Sequence, residues 1–87
     1  MASVKKKLIV KSKQGLHARP AALFVQVANK FDSRITVKRD EEKVNGKSIM
    51  GILMLGAENG CEITIEAEGQ DAQAAITELE KIVNSEE

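Results

Sequence analysis

Cys61-Glu62-Ile63-Thr64-Ile65-Glu66-Ala67-Glu68-Gly69 is the stretch that decides the fold. Cys61, Ile63, Ile65 and Ala67 alternate with Glu62, Thr64, Glu66 and Glu68. A period of two puts apolar side chains on one side of a strand and acids on the other. Such a strand belongs to an antiparallel sheet with one wet face, not to a parallel sheet buried on both sides. Gly69 ends it, and Asp71 is placed to cap a helix in which Ala72, Ala75, Ile76, Leu79, Ile82 and Val83 keep helical spacing.

Working back toward the amino terminus, Asn59 and Gly60 precede this strand. Before them Ile49, Ile52 and Leu53 predict a short helix that Ser48 caps and Gly56 stops, following a turn at Asn45 and Gly46. Ile35 and Val37 alternate with Arg34, Thr36 and Lys38 as in a half-buried strand. The charged run Arg39 to Lys43 reads as its turn, with a return strand beginning at Val44. Phe24, Val27, Ala28 and Phe31 fall at i, i+3, i+4 and i+7, one apolar helical face. Pro20 is tolerated only in a first turn, so this helix starts around Ala18 to Pro20. Leu8 to Val10 read as a first strand, and the polar stretch Lys11 to Gly15 as the loop after it.

The order is strand, helix, strand, strand, helix, strand, helix. It predicts an α+β fold: an open-faced β-sandwich, with a four-stranded antiparallel sheet and three helices on one face. With 87 residues, 43% of them hydrophobic, the chain makes one domain, residues 1–87, with one modest core. No apolar stretch has the form of a signal peptide or a membrane span, and the lone Cys61 has no second thiol to pair with. These features predict a cytoplasmic protein without membrane insertion. The zero net charge hides an asymmetry: residues 1–47 hold 12 of the 13 Lys and Arg but 4 of the 13 acids. The amino-terminal half is therefore the side expected to meet an acidic partner.

The chemistry sits in Gly15-Leu16-His17-Ala18-Arg19-Pro20-Ala21, where the first loop meets the first helix. Backbone N–H groups just after His17 have no intrahelical acceptor and welcome an anion. Arg19 adds a fixed cation that can pair with phosphate oxygens. Gly15 is expected to let backbone come close to such a group. In the second helix, Ile49, Met50 and Leu53 cannot all face inward on so short an element, and Met50 is expected to be the exposed one.

The string Gly15 to Ala21 resembles the active-site signature of the HPr family, the histidine-containing phosphocarriers of the sugar phosphotransferase system. Lys43-Val44-Asn45-Gly46-Lys47-Ser48-Ile49-Met50-Gly51 is similar to that family's regulatory serine region, and Glu66-Ala67-Glu68-Gly69 with the following helix to its last strand and helix. The resemblance implies that His17 takes a phosphoryl group on Nδ1 from phosphoenolpyruvate-charged enzyme I and passes it to IIA domains of sugar permeases, with Arg19 assisting. It implies that Ser48 matches the serine that HPr kinase/phosphorylase modifies in many members and that Ile49, Met50 and Leu53 form the docking patch, and it leaves open whether phospho-Ser48 meets a catabolite-control transcription regulator. It implies a monomer that needs no cofactor and no metal. Gln14 departs from the small hydroxyl residue that several members carry there.

Two other classes fit less well. The order of elements also resembles an RNA-recognition fold, but such modules stack bases on aromatic residues of exposed strands. This chain has no Trp or Tyr, both Phe fall in the helical pattern, and the best strand exposes glutamates. A hydrolytic enzyme needs a general base or metal beside its nucleophile, and one histidine without a nearby cysteine or acid motif supplies neither. His17 itself argues against a histidine-lacking regulatory relative of HPr.

Overall fold

The computed structural model describes residues 2–86. The elements run β1 (Ser3–Ile9), α1 (Ala18–Ala28), β2 (Arg34–Arg39), β3 (Glu42–Asn45), α2 (Ile49–Leu55), β4 (Glu62–Glu68) and α3 (Ala72–Asn84). The four strands form one sheet in the order β1-β4-β2-β3, with every neighbouring pair antiparallel. β4 lies inside the sheet between β1 and β2, and its strict alternation turns one row of side chains toward the core. Its inward Ile63, Ile65 and Ala67 lie opposite Leu8 of β1 and Val37 and Ile35 of β2, and all six are buried.

The helices cover that face. Phe24 from α1, Ile52 and Leu55 from α2, and Ile76, Leu79 and Val83 from α3 are buried against the strands. Each fully buried side chain of this size contributes about 1.5–3 kcal/mol relative to exposure. Among the described residues no helix is long and apolar enough to cross a membrane.

Four local expectations are corrected. The first strand begins at Ser3, not Leu8. Lys5 and Lys7 lie opposite Glu66 and Thr64 on the open face, while Lys6 points to the helix side and its Nζ meets Glu80 Oε1 at 2.7 Å. A lysine stem covering apolar surface beneath a charged tip breaks the alternation that marks a strand. The hairpin turn contracts to Asp40 and Glu41, so the return strand starts at Glu42; Asp40 has φ +54, a left-handed turn conformation that aspartate tolerates. Phe31 lies beyond α1, half-buried in the turn that follows it.

The fourth concerns Asp71. It stands at the start of α3 but makes no side-chain cap there. Its carboxylate instead accepts hydrogen bonds from the amides of Asp32 (2.8 Å) and Ser33 (2.9 Å) and from the Ser33 hydroxyl. Those bonds, the Ser33 hydroxyl first and the Asp32 amide next, hold the carboxyl below its ordinary range. The knot ties the α1–β2 turn to the start of α3.

Candidate functional site

His17 occupies the N-cap position of α1, with extended backbone (φ −127°, ψ 167°) and no side-chain cap bond. It is half-buried. By position the amides of Ala18 and Arg19 have no acceptor within the helix, and Pro20 has no N–H to offer. The first turn closes through the Ala21 amide to the His17 carbonyl at 3.4 Å. Ala18 sits at φ +51, a left-handed conformation that costs a non-glycine residue about 1 kcal/mol or more. Imidazole, unfilled amides and strained backbone therefore share one helix end, and the exposed Arg19 follows two residues on.

The loop beneath is fixed on several sides. Leu16 is buried and its amide donates to the Ala57 carbonyl at 2.8 Å. Asn59 Nδ2 donates to the carbonyls of Lys11 and Ser12. Gly15 has φ +70, and a Cβ there would run into the Ala57 carbonyl oxygen and lie 2.7 Å from Glu58 Cα. The structure gives Gly15 a role that the sequence did not show: its bareness lets two backbone segments cross. Arg39, which the sequence placed in a turn, donates from Nη1 to the carbonyls of Gly56 (2.8 Å) and Leu55 (3.2 Å). It thereby satisfies the carboxyl end of α2 and holds it beside the His17 loop.

α1 and α2 run antiparallel. Leu16, before α1, bonds to Ala57, after α2. At the other end Asn29, the C-cap of α1, donates from Nδ2 to the Lys47 carbonyl (3.1 Å) just ahead of α2. Ser48 caps α2 as its sequence predicts, with Oγ accepting from the Gly51 amide at 3.1 Å. The structure thus places His17 and Arg19 two residues apart at one helix end and leaves Ser48 the length of α1 away, about 16 Å at 1.5 Å per residue.

The surface between them is the exposed face of α2. Met50 is 62% exposed, Ile49 41% and Leu53 37%, so Met50 is the most exposed of the three expected docking residues. Sequence reading missed Met54, which is 67% exposed; its spacing of four from Met50 was the available signal. It also missed Leu23 of α1, an exposed residue on a groove of about 470 Å³. Lys13, Arg19, Pro20, Lys81 and Ile82 help to line that groove, which leads away from the His17 turn toward the end of α3.

Residues 4–85 match the family model described as the PTS HPr component phosphorylation site. The chain is 48% identical over 83 residues to the HPr-like protein Crh of Bacillus subtilis (strain 168), covering 95% of this chain and 98% of that protein. It is 46% identical over 79 residues to the phosphocarrier protein HPr of Treponema pallidum (strain Nichols), covering 91% and 90%. The crystal structure of a phosphocarrier protein HPr from Bacillus anthracis superposes with a TM-score of 0.92 at 49% identity, covering 95% of this chain and 99% of the other. On this agreement of sequence, fold and helix-end geometry, the chain belongs to the HPr family.

Proposed function

We propose that the chain is a phosphocarrier that accepts a phosphoryl group on His17 from enzyme I and transfers it to IIA domains of sugar permeases. The observation that carries the reading is the uncapped start of α1, where His17 stands beside amides that the helix leaves without acceptors. In the forward step His17 Nδ1 attacks phosphorus, and a P–N bond forms as the bond from phosphorus to the atom that carries it on enzyme I breaks and its electron pair stays with that atom. The equatorial oxygens then meet the Ala18 and Arg19 amides and the Arg19 guanidinium, the preorganised charge complement that such transfers need. Passing the group to a IIA domain reverses the step. The chain is not a self-contained enzyme, since it returns to its starting state only through two partners.

The docking residues in this reading are Ile49, Met50 and Leu53, joined by Met54. Ser48, the N-cap directly before Ile49, is the regulatory position. Its hydroxyl serves as an acceptor in the cap, so phosphate carried on Oγ stays at a helix amino terminus, where negative charge is tolerated. Similarity to Crh, the Bacillus subtilis catabolite repression HPr, is the support for a role in catabolite repression; the carrier role rests on His17 and on similarity to the phosphocarrier HPr relatives.

The test is incubation with enzyme I, magnesium and phosphoenolpyruvate, followed by intact mass. One acid-labile phosphate is expected on the wild type and none on a folded His17→Ala. Normal uptake by that variant sinks the assignment. In steady-state transfer, Ser48→Asp should raise the apparent KM while leaving the thermal melt in place, because added charge at a contact acts chiefly on association. Unaltered kinetics would leave Ser48 a structural cap.

A further inference from the structure

The exposed face of α2 is built from two pairs at i and i+4, Ile49 with Leu53 and Met50 with Met54. The two methionines are the most exposed large apolar residues among those described, at 62% and 67%. The thiol of Cys61, the other described sulfur group, is half-buried just before β4. Exposure governs the rate at which a thioether meets an oxidant, so the reactive sulfurs of this surface are both on one helix face. We propose that Met50 and Met54 form a paired sulfoxidation site within the partner-docking face, through which a hydroperoxide reversibly weakens docking while the fold persists.

The chemistry is self-contained once a hydroperoxide is supplied. The thioether sulfur attacks the terminal peroxide oxygen, a sulfur–oxygen bond forms and the O–O bond breaks. The departing hydroxide or alkoxide leaves protonated, as water or an alcohol. Sulfur is oxidised by two electrons and the peroxide is reduced by two. Each product sulfoxide is polar, and a partner that covers it must strip its water without returning a hydrogen bond.

The fold is insulated from this change. α2 is held by Ile52 and Leu55, both buried, by the Ser48 cap at its start and by Arg39 on its last carbonyls. None of these groups carries a reactive thioether. Oxidation of a buried methionine damages a core, whereas oxidation here alters only what a partner meets.

The inference rests on the docking reading above, and the experiment separates the two. The purified chain is treated with hydrogen peroxide, the peroxide is removed with catalase, and peptide masses assign the added oxygens. Transfer from enzyme I is then measured alongside a thermal melt. The expected result is oxygen on Met50 and Met54, an unshifted melt and an apparent KM raised about tenfold, restored by methionine sulfoxide reductases A and B. Cys61→Ser should respond to peroxide as the wild type does. The double variant Met50→Leu with Met54→Leu should show no change on treatment, whatever its starting rate. Full sulfoxidation with unaltered KM overturns the inference. If Ile49→Ala with Leu53→Ala also leaves KM unaltered, the docking reading falls with it; if that variant raises KM, the docking reading stands alone.

Discussion

The two ends of the antiparallel pair α1 and α2 are built on opposite plans. At the Ser48 end polar groups are matched: Ser48 caps α2, Asn29 bridges to Lys47, and Lys47 Nζ donates to the Phe31 carbonyl at 2.7 Å. Asp71 ties down Asp32 and Ser33. At the His17 end the helix begins without a side-chain cap and with Ala18 in a left-handed conformation. Under the proposed carrier function, a site for a transient anion must leave donors unfilled, and leaving them unfilled costs stability. The loop beneath His17 is accordingly pinned by backbone contacts, while the donors themselves stay open.

The largest expected effect comes from attacking that pinning. Gly15→Ala combines a φ of +70 with a Cβ driven into the Ala57–Glu58 backbone. It should lower stability by about 3 kcal/mol in urea unfolding, well above the cost of conformational strain alone. A loss under 1 kcal/mol would mean that the 57–58 segment yields and that the loop is not held rigidly.

The matched end should fail differently. Asp71→Asn removes the charge that three donors share, so stability falls at neutral pH. Because the folded-state pKa lies below the ordinary value, the carboxylate's contribution is fully present above that value and is lost as pH falls through the folded-state pKa. The gap between wild type and Asp71→Asn should therefore be widest near neutrality and close below about pH 4. Thermal melts across that range check it, and a gap that stays constant with pH would remove the charge from the account.

These two residues also show where sequence reading runs out. The alternation in β4, the helical spacing in α3 and the Ser48 cap depend on neighbours within a few positions, and all three were legible. Asp71 was read as a local cap because the start of its helix is visible in the sequence. Its actual partners lie nearly forty positions earlier, and only the fold brings them to it. The same holds for Lys6, which hid the strand it belongs to by pairing with Glu80, and for Arg39, whose carbonyl partners lie at the carboxyl end of α2. At the candidate site, His17 and Arg19 were legible as a string of residues. Gly15's role and the exposure of Leu23 needed the packing, whereas Met54 was within reach of its spacing from Met50.

The two helix starts give a direct contrast in capping. Ser48→Ala should cost about 1 kcal/mol, the usual worth of an N-cap bond. His17→Ala should cost less than about 0.5 kcal/mol, since no cap bond exists there to lose. Equal losses in denaturant titrations would mean that His17 supports the fold, and the contrast between the ends would fail.

The smallest effect is the sharpest probe of the unfilled end. Ala22 is an exposed residue of α1 in ordinary helical backbone, so Ala22→Gly should lose about 1 kcal/mol, the standard difference between alanine and glycine in a helix. Ala18→Gly makes the same chemical change four residues earlier. There the native φ of +51 penalises alanine by about 1 kcal/mol and leaves glycine unpenalised, which offsets glycine's extra entropy in the unfolded chain. The expected net change is within about 0.5 kcal/mol of zero. Paired denaturant titrations of the two variants against wild type measure the difference directly. Losses of about 1 kcal/mol at both positions would mean that α1 begins in regular helical backbone in solution, and that the His17 end carries no conformational strain.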